Sequence, residues 1–478
     1  MDGGPKPEPH CPSAARRIFA IIGGGFSGAA IAIQLARHAQ PSDRILVFEP
    51  RPQLGLGLAY STQDPAHRLN ARAARMSLLP DEPAHFTDWI SATGACADDA
   101  EAALPDGRLF PRRAVFGRYV AASLAPLLRN RRVIHVRDIV EDLAWQDGAW
   151  VVRDAGGQAF RADVAVLATG HAPAAVPRVL APLAGHPGFI TAPLQPGPLQ
   201  AVAKTADVLI IGTGLTMADC VTVLHRNGHT GRICAISRRG QMPQPHAEIE
   251  YPPFREFAET RGTARALLRL VRDALRQAQA AGLPWQSVFD GLRCDAEALW
   301  AALPAPERRR LLRHARPFWD THRHRLPPPV GEVLRQRLAD GSLTIQPAAI
   351  VAAAPAGPKI SVALRPGRKG AEAVESYDAV VLTAGFGRIG ESAGGVVAKL
   401  LAAGLATLDE TGQGLACDAQ SRSMGREAGL PLFVLGPPAR GSFADITGVP
   451  EIVRQAAGIA RRIAAGAVLL EESKRSLF

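Results

Sequence analysis

The chain has 478 residues, enough for two or three domains with substantial cores. Its 47% hydrophobic and 21% charged residues describe a globular protein, and no apolar run reaches the roughly eighteen residues that a membrane-spanning helix needs. The net charge of +11 is almost all arginine, scattered without aromatic interleaving, which argues against nucleic acid and for solvated surface plus pockets for anionic cofactors. Six cysteines stand far apart with neither C-x-x-C nor zinc spacing, so reduced thiols in the cytoplasm and no metal are expected.

Residues 1–16 are polar and proline-rich without an apolar core, and read as a disordered leader, not a signal peptide. The stretch from Ile18 to Glu49 follows: an apolar run, a turn through Gly23, Gly25 and Gly28, a helix of small residues, and a second apolar run closed by an acid. This is a βαβ unit with the G-x-G-x-x-G fingerprint. Gly23 permits the tight turn, Gly25 admits a pyrophosphate to the backbone, and Gly28 lets the helix close on the sheet, with Ser27 in the same first turn. The helix N-terminus adds free N–H groups and positive partial charge. Glu49 is placed to accept hydrogen bonds from an adenine-side ribose, which implies FAD or NAD(H) and disfavours a 2′-phosphate.

Gly55 and Gly57 then allow close approach of the backbone to a ligand, and the polar segment after them carries Asn70. Either this is a surface loop, or it runs under a flavin ring with the Asn70 amide at the reactive edge. Helices are expected near 86–90 and 115–128, then a β-meander whose last strand, 164–168, empties through Thr169 and Gly170 into a proline-rich connector.

A second unit begins at Val208. Gly212 and Gly214 repeat the turn, Met217 replaces the packing glycine, and Ser237-Arg238-Arg239 stands where the first unit has its acid. Arginine accepts a 2′-phosphate, so this site favours NADP(H), unless both side chains are merely solvated. Residues 255–327 read as a helical insertion, with an apolar stripe at Ala264, Leu267, Leu268, Val271, Ala274 and Leu275. It ends in WDTHRHR, where Arg323 and Arg325 disfavour a metal at His322 and His324 and suit a phosphate or an anionic substrate. The strand at 379–382 and its Thr-Ala-Gly exit read as the return to the first domain. A strand at 432–435, then Gly436 and a helix starting near Thr447 to Pro450, with Val449 in its first turn, complete it. That helix either aims its N–H groups at the pyrimidine end of a flavin or simply packs.

With GLGLAYST, RLNARAARMS, GTGLTMADC, SRRG and GVPEIVRQA in view, the chain from about residue 17 onward resembles the flavoproteins with two dinucleotide-binding domains. Among these it looks most like the bacterial FAD/NAD(P)-binding proteins of the YdhS type, relatives of flavin-containing monooxygenases and N-hydroxylases. The resemblance implies an α/β fold with two Rossmann-like domains for FAD and NADP(H), the second inserted in the first and carrying the helical insertion. The expected boundaries are 17–175 and 379–478 for the FAD domain and 176–378 for the NADP(H) domain. It also implies a role for Asn70 beside the flavin, since Met76-Ser77 follows it as in flavin-containing monooxygenases. The expected function is oxygenation of a small amine or sulfur compound by dioxygen through a flavin hydroperoxide, with FAD and NADPH as cofactors and no nucleic acid or membrane as partner. The family's F-x-G-x-x-x-H-x-x-x-W/Y motif is missing at GHPGFITAPLQP, which leaves open an NADPH:acceptor oxidoreductase passing electrons to a quinone or partner protein. A non-catalytic FAD-binding sensor is the third reading.

Overall fold

The computed structural model describes residues 16–255, 257, 262–367, 370–444 and 446–466. Apart from its last residue, the expected leader lies outside the described residues. The first unit forms as its pattern requires: strand β1 (Ile18–Ile22), helix α1 (Phe26–His38) and strand β2 (Arg44–Phe48). Helices α2 (His85–Thr93) and α3 (Arg113–Arg129) follow, then β3 (Val133–Val136). Strands β4 (Val140–Gln146), β5 (Ala149–Asp154) and β6 (Ala159–Ala162) make a separate antiparallel meander, after which β7 (Val164–Leu167) rejoins the main sheet beside β1. The expected meander therefore holds only its middle three strands, because β3 pairs in parallel with β2 at the sheet edge and the wholly buried β7 pairs in parallel with β1.

The second unit comprises β8 (Phe189–Ile190), β9 (Val208–Ile211), α4 (Leu215–Arg226) and β10 (Ile233–Ser237). The insertion contributes α5 (Ala264–Ala280), α6 (Trp285–Cys294), α7 (Ala296–Ala302), α8 (Ala305–His314) and α9 (Arg316–Arg323). Helix α5 packs against α6 and α8 through Ala274 and Ala278, while Leu268, expected in its stripe, is 39% exposed. Helix α10 (Pro328–Ala339) returns to pack on α4. Strand β11 (Leu343–Ala356) pairs in parallel with β10, then bends into an antiparallel ladder with β12 (Lys359–Pro366), which pairs with β13 (Ala373–Tyr377).

Strand β14 (Ala379–Leu382) pairs in parallel with β9 and β8, giving a second sheet in the order β13-β12-β11-β10-β9-β14-β8. The expected boundary at 379 is thus corrected: this strand closes the second domain, and the crossing follows Thr383. Its apolar AVVL, buried along its whole length, pairs with β9 as VAVL of β7 pairs with β1. Two helices, α11 (Ile389–Ser392) and α12 (Gly395–Ala403), lead to β15 (Leu432–Val434), which completes a five-stranded parallel sheet, β15-β7-β1-β2-β3. Helix α13 (Val449–Ala464) packs along α1. Residues such as Ile21 and Val166 at the sheet centre are wholly buried, each contributing roughly 1.5–3 kcal/mol.

Ion pairs join the two domains. Arg113 of α3 meets Asp219 of α4 at 2.8 Å with both side chains largely buried, and Arg226 meets Glu101 at 2.6 Å. Their relative placement fixes which loops face each other across the cleft.

Candidate active site

At the first turn Gly23 has φ +100° and donates its N–H to the Phe48 carbonyl at 3.0 Å. A Cβ there would stand 2.5 Å from the Ala168 carbonyl oxygen and 3.2 Å from the Thr169 Cα, so the turn sits directly against the Ala-Thr-Gly exit of β7. Gly28 brings α1 against the turn itself: its Cβ would be 2.0 Å from the Gly23 carbonyl oxygen. Gly25 is the N-cap of α1 and no side chain caps the helix, so its leading N–H groups face outward with their dipole uncompensated. Gly57 lies against Gly25 and Gly55 against Val120, so these two glycines serve backbone-to-backbone and helix packing where closeness to a ligand was expected.

Glu49 is buried at the end of β2. One carboxylate oxygen accepts the Gly24 N–H at 3.1 Å; the other accepts the Arg51 N–H at 3.1 Å and its guanidinium at 3.3 Å. A carboxylate offers about four lone-pair sites, so it can tie the glycine turn to β2 and still accept from a hydroxyl. Gly436, after β15, completes the enclosure: its N–H is held by Gln455 of α13 at 2.8 Å, and a Cβ there would lie 2.6 Å from the Ser27 hydroxyl oxygen. The structure brings Gly23, Ser27, Gly28, Glu49, Thr169 and Gly436 together, with Gly170 next in the exit. The N-cap of α13 is Gly448, and Val449 opens the helix.

The second turn repeats the geometry. Gly212 has φ +117°, and its Cβ would stand 2.4 Å from the Thr383 carbonyl oxygen, as Gly23 stands to Ala168. Gly214 caps α4, has open space around it, and leaves the helix without a side-chain cap. Met217 is fully buried in the helix core, an apolar contact in place of the packing glycine. Arg238 and Arg239 are both exposed at the end of β10. Arg239 lies over the Phe318 ring at 5.1 Å, drawn toward α9, whereas Arg238 has no ion-pair partner among the described residues.

Asn70 lies in neither turn. It lines a cleft between the first domain and the insertion, together with Arg72, Arg75, His246, Tyr251 and Asp290. His246 donates from Nε2 to the Asn70 carbonyl oxygen at 3.0 Å. Burial pushes that imidazole down to about 4, with Arg325 and Arg72 adding to the effect, so it is neutral at pH 7. Arg325 grips Asp290 at 3.0 Å and also meets the Tyr251 hydroxyl at 3.0 Å. Burial works to raise the Asp290 carboxyl, but Arg325 and Arg75 overcome it and hold it below the usual range. Arg293, also in the cleft, reaches Glu451 in the first turn of α13 at 2.7 Å, which puts Asn70 and the start of α13 at one site.

His246, Tyr251, Asp290 and Arg293 went unread in the sequence because they sit in a loop and an insertion with no spacing rule. Arg323 and Arg325 of WDTHRHR do line this cleft. His322 instead packs among Trp285 and Phe289, and no group of three or more His, Cys, Asp or Glu suited to a metal occurs among the described residues. The two connectors meet where His171 stacks on Phe386 at 3.6 Å between ring centres.

Residues 20–172 match the family model described as FAD-NAD(P)-binding. No curated protein sequence matches the chain. Three solved structures are similar over nearly their whole length. The ornithine N-hydroxylase of Kutzneria sp. 744, solved with reduced FAD, NADP⁺ and L-ornithine, has a TM-score of 0.66 at 14% identity, covering 96% of this chain and 100% of that one. The FAD-bound cadaverine monooxygenase of Erwinia amylovora gives 0.65 at 14%, covering 95% of each. The ornithine hydroxylase of Pseudomonas aeruginosa gives 0.64 at 18%, covering 94% and 99%. At these identities the likeness is one of fold: α/β, with two Rossmann-like domains in one chain.

Proposed function

We propose that the chain is an FAD-dependent, NADPH-consuming monooxygenase that oxygenates a small amine, working in the cytoplasm, and that it is one of the bacterial FAD/NAD(P)-binding proteins of the YdhS type. One observation carries the reading: two uncapped helix N-termini, each behind a left-handed glycine that abuts the exit of a neighbouring strand, stand in a single chain whose fold matches amine monooxygenases. No helix among the described residues is long and apolar enough to cross a membrane.

The residues fit the cofactors. The N–H groups behind Gly25 and Ser27 would bind a pyrophosphate, Gly23 and Gly28 set the tight turn and the close helix that hold those N–H groups in place, and Glu49 would take the ribose of FAD. Thr169 and Gly170 border the same turn, while Gly436 and the start of α13 at Val449 border the far side. Gly212 and Gly214 hold the pyrophosphate of NADPH, with Arg238 foremost and Arg239 beside it for the 2′-phosphate. When bound, FAD supplies the hydride and dioxygen chemistry. The chain supplies orientation and a charged, partly closed cleft, and Asn70, held through its backbone carbonyl by His246, lines that cleft as the proposed hydrogen-bonding group.

The test is oxygen uptake by the yellow, FAD-loaded protein. NADPH oxidation is expected to consume dioxygen and to rise on addition of an amine. Reoxidation that requires a quinone and ignores every amine would instead establish the acceptor oxidoreductase, and tight FAD with no turnover the sensor.

A further inference from the structure

The cleft beside Asn70 holds its arginines unequally. Arg108 is satisfied by Asp106 at 2.6 Å and by the Ala247 and Glu248 carbonyl oxygens at 2.6 and 3.0 Å. Arg325 is closed on Asp290, Tyr251 and two carbonyl oxygens, and Arg72 is paired with Glu250. Arg75 is different. Its one ionic contact among the described residues is Asp290 at 3.7 Å, beyond hydrogen-bond reach, and that carboxylate is already engaged by Arg325 and the Tyr251 hydroxyl. The Arg75 side chain is 38% exposed, so its fork faces the solvent at the mouth of the cleft; partial desolvation lowers the guanidinium, Asp290 partly restores it, and the neighbouring cations Arg293 and Arg72 push it down again.

A guanidinium set among like charges, with a hydrogen-bonding fork unused, is a site for an anion delivered from outside. The cleft encloses about 40 Å³ and opens to solvent, room for one small planar group to enter with the rest of the ligand outside. Its walls favour that sign of charge: His246 is neutral, and the Asp290 carboxylate is shielded by two arginines.

We propose that Arg75 binds the oxyanion group of a small organic acid in this cleft, so that the compound oxygenated here is acidic and not a simple diamine. Calling that ligand the substrate rests on the monooxygenase reading; the anion site itself does not. A diamine would place cations against Arg75, Arg72 and Arg293, and the geometry disfavours it.

Isothermal titration calorimetry on the FAD-loaded protein tests this with glutarate, inorganic phosphate and cadaverine as probes. Glutarate or phosphate is expected to bind at least tenfold more tightly than cadaverine, weakening as salt rises, and the tighter of the two identifies the anion as carboxylate or phosphate ester. Arg75→Glu is expected to abolish binding and Arg75→Lys to weaken it about tenfold, because one ammonium cannot form the fork. Arg276→Glu, the same charge change on the exposed face of α5, is expected to leave it intact, and the flavin spectrum verifies that each variant folds. Failure of both anions to bind, tighter binding of cadaverine, or binding that survives Arg75→Glu would overturn the proposal. So would displacement of glutarate by saturating NADP⁺, which would give Arg75 to the dinucleotide. Anion binding that depends on Arg75 in a protein that consumes no dioxygen would sustain the site and strike the monooxygenase reading alone.

Discussion

The two glycine turns share a backbone and differ in everything around it. Gly23 and Gly212 have φ values of +100° and +117°, and each abuts the residue where a neighbouring parallel strand ends, Ala168 or Thr383. Beyond that the first turn is closed, with Gly28 against its carbonyl and a buried carboxylate bound to its N–H, whereas the second has open space at Gly214 and exposed arginines at the strand end. On the proposed reading, the first is an enclosed seat for a resident cofactor. On the same reading, the second is an open ledge on which a dinucleotide would exchange, gripped by charge and not by burial.

The largest effect expected from breaking this contrast is at Gly28. Gly28→Val places a branched side chain where even a Cβ would lie 2.0 Å from backbone, and the helix must move off the turn. A loss of about 3 kcal/mol or more and a colourless protein are expected, read by chemical unfolding and flavin absorbance. The second turn has no packing glycine to break, since Met217 stands there; at its N-cap, Gly214→Ala lies in open space with φ −85°, and a stability change within about 0.5 kcal/mol is expected. Damage from Gly214→Ala as large as that from Gly28→Val would deny that the second turn is open.

Glu49→Ala comes next. It removes the acceptor from the Gly24 N–H and from Arg51 and strips the ribose partner, so FAD affinity should fall roughly 10- to 100-fold, equivalent to about 1.4–2.8 kcal/mol. Dialysis against FAD with fluorescence readout measures it. A smaller effect is expected from Arg238→Ala, which should raise KM for NADPH about tenfold, leave KM for NADH unchanged, and not move Tm because the side chain is exposed and unpaired. An equal rise for both coenzymes would place Arg238 away from the 2′-phosphate.

The same contrast explains what the sequence disclosed. Both turns were legible because glycine at a left-handed φ beside a short apolar strand has few other physical meanings, and the acid against the arginine pair could be read from type alone. The strand at 379–382 was misplaced because AVVL followed by Thr-Ala-Gly carries no sign of which sheet it joins; only its pairing with β9 decides that. The cleft was legible in fragments. RLNARAARMS and WDTHRHR were visible as basic segments, but their convergence on His246 and Asp290 depends on an insertion folding back across some two hundred residues, a contact that leaves no local pattern. Arg239 is equivalent to Arg238 in the sequence, and only Phe318, 79 positions away and beneath its guanidinium, sets it apart.

The smallest effect concerns the place where the two exits touch, and it tests whether the open and closed halves are mechanically joined. The His171 ring lies flat on Phe386, and burial, helped by Arg440 and His324, pushes its imidazole down to about 3 from an ordinary 6.5. A depressed histidine is neutral in the fold, so near pH 7 and above it costs nothing. As pH falls below 6.5 the unfolded chain takes up a proton that the folded chain refuses until about pH 3, and stability declines through that interval. His171→Gln removes the titration along with the stack, so the variant should be weaker at pH 7.5 yet lose less on going to pH 5. Allowing for solvent at the ring, the difference in slope should be about 1 kcal/mol, measured as urea midpoints at the two pH values. Parallel slopes would mean that the ring protonates without leaving its partner, and then the stack would not couple the connector of the first turn to that of the second.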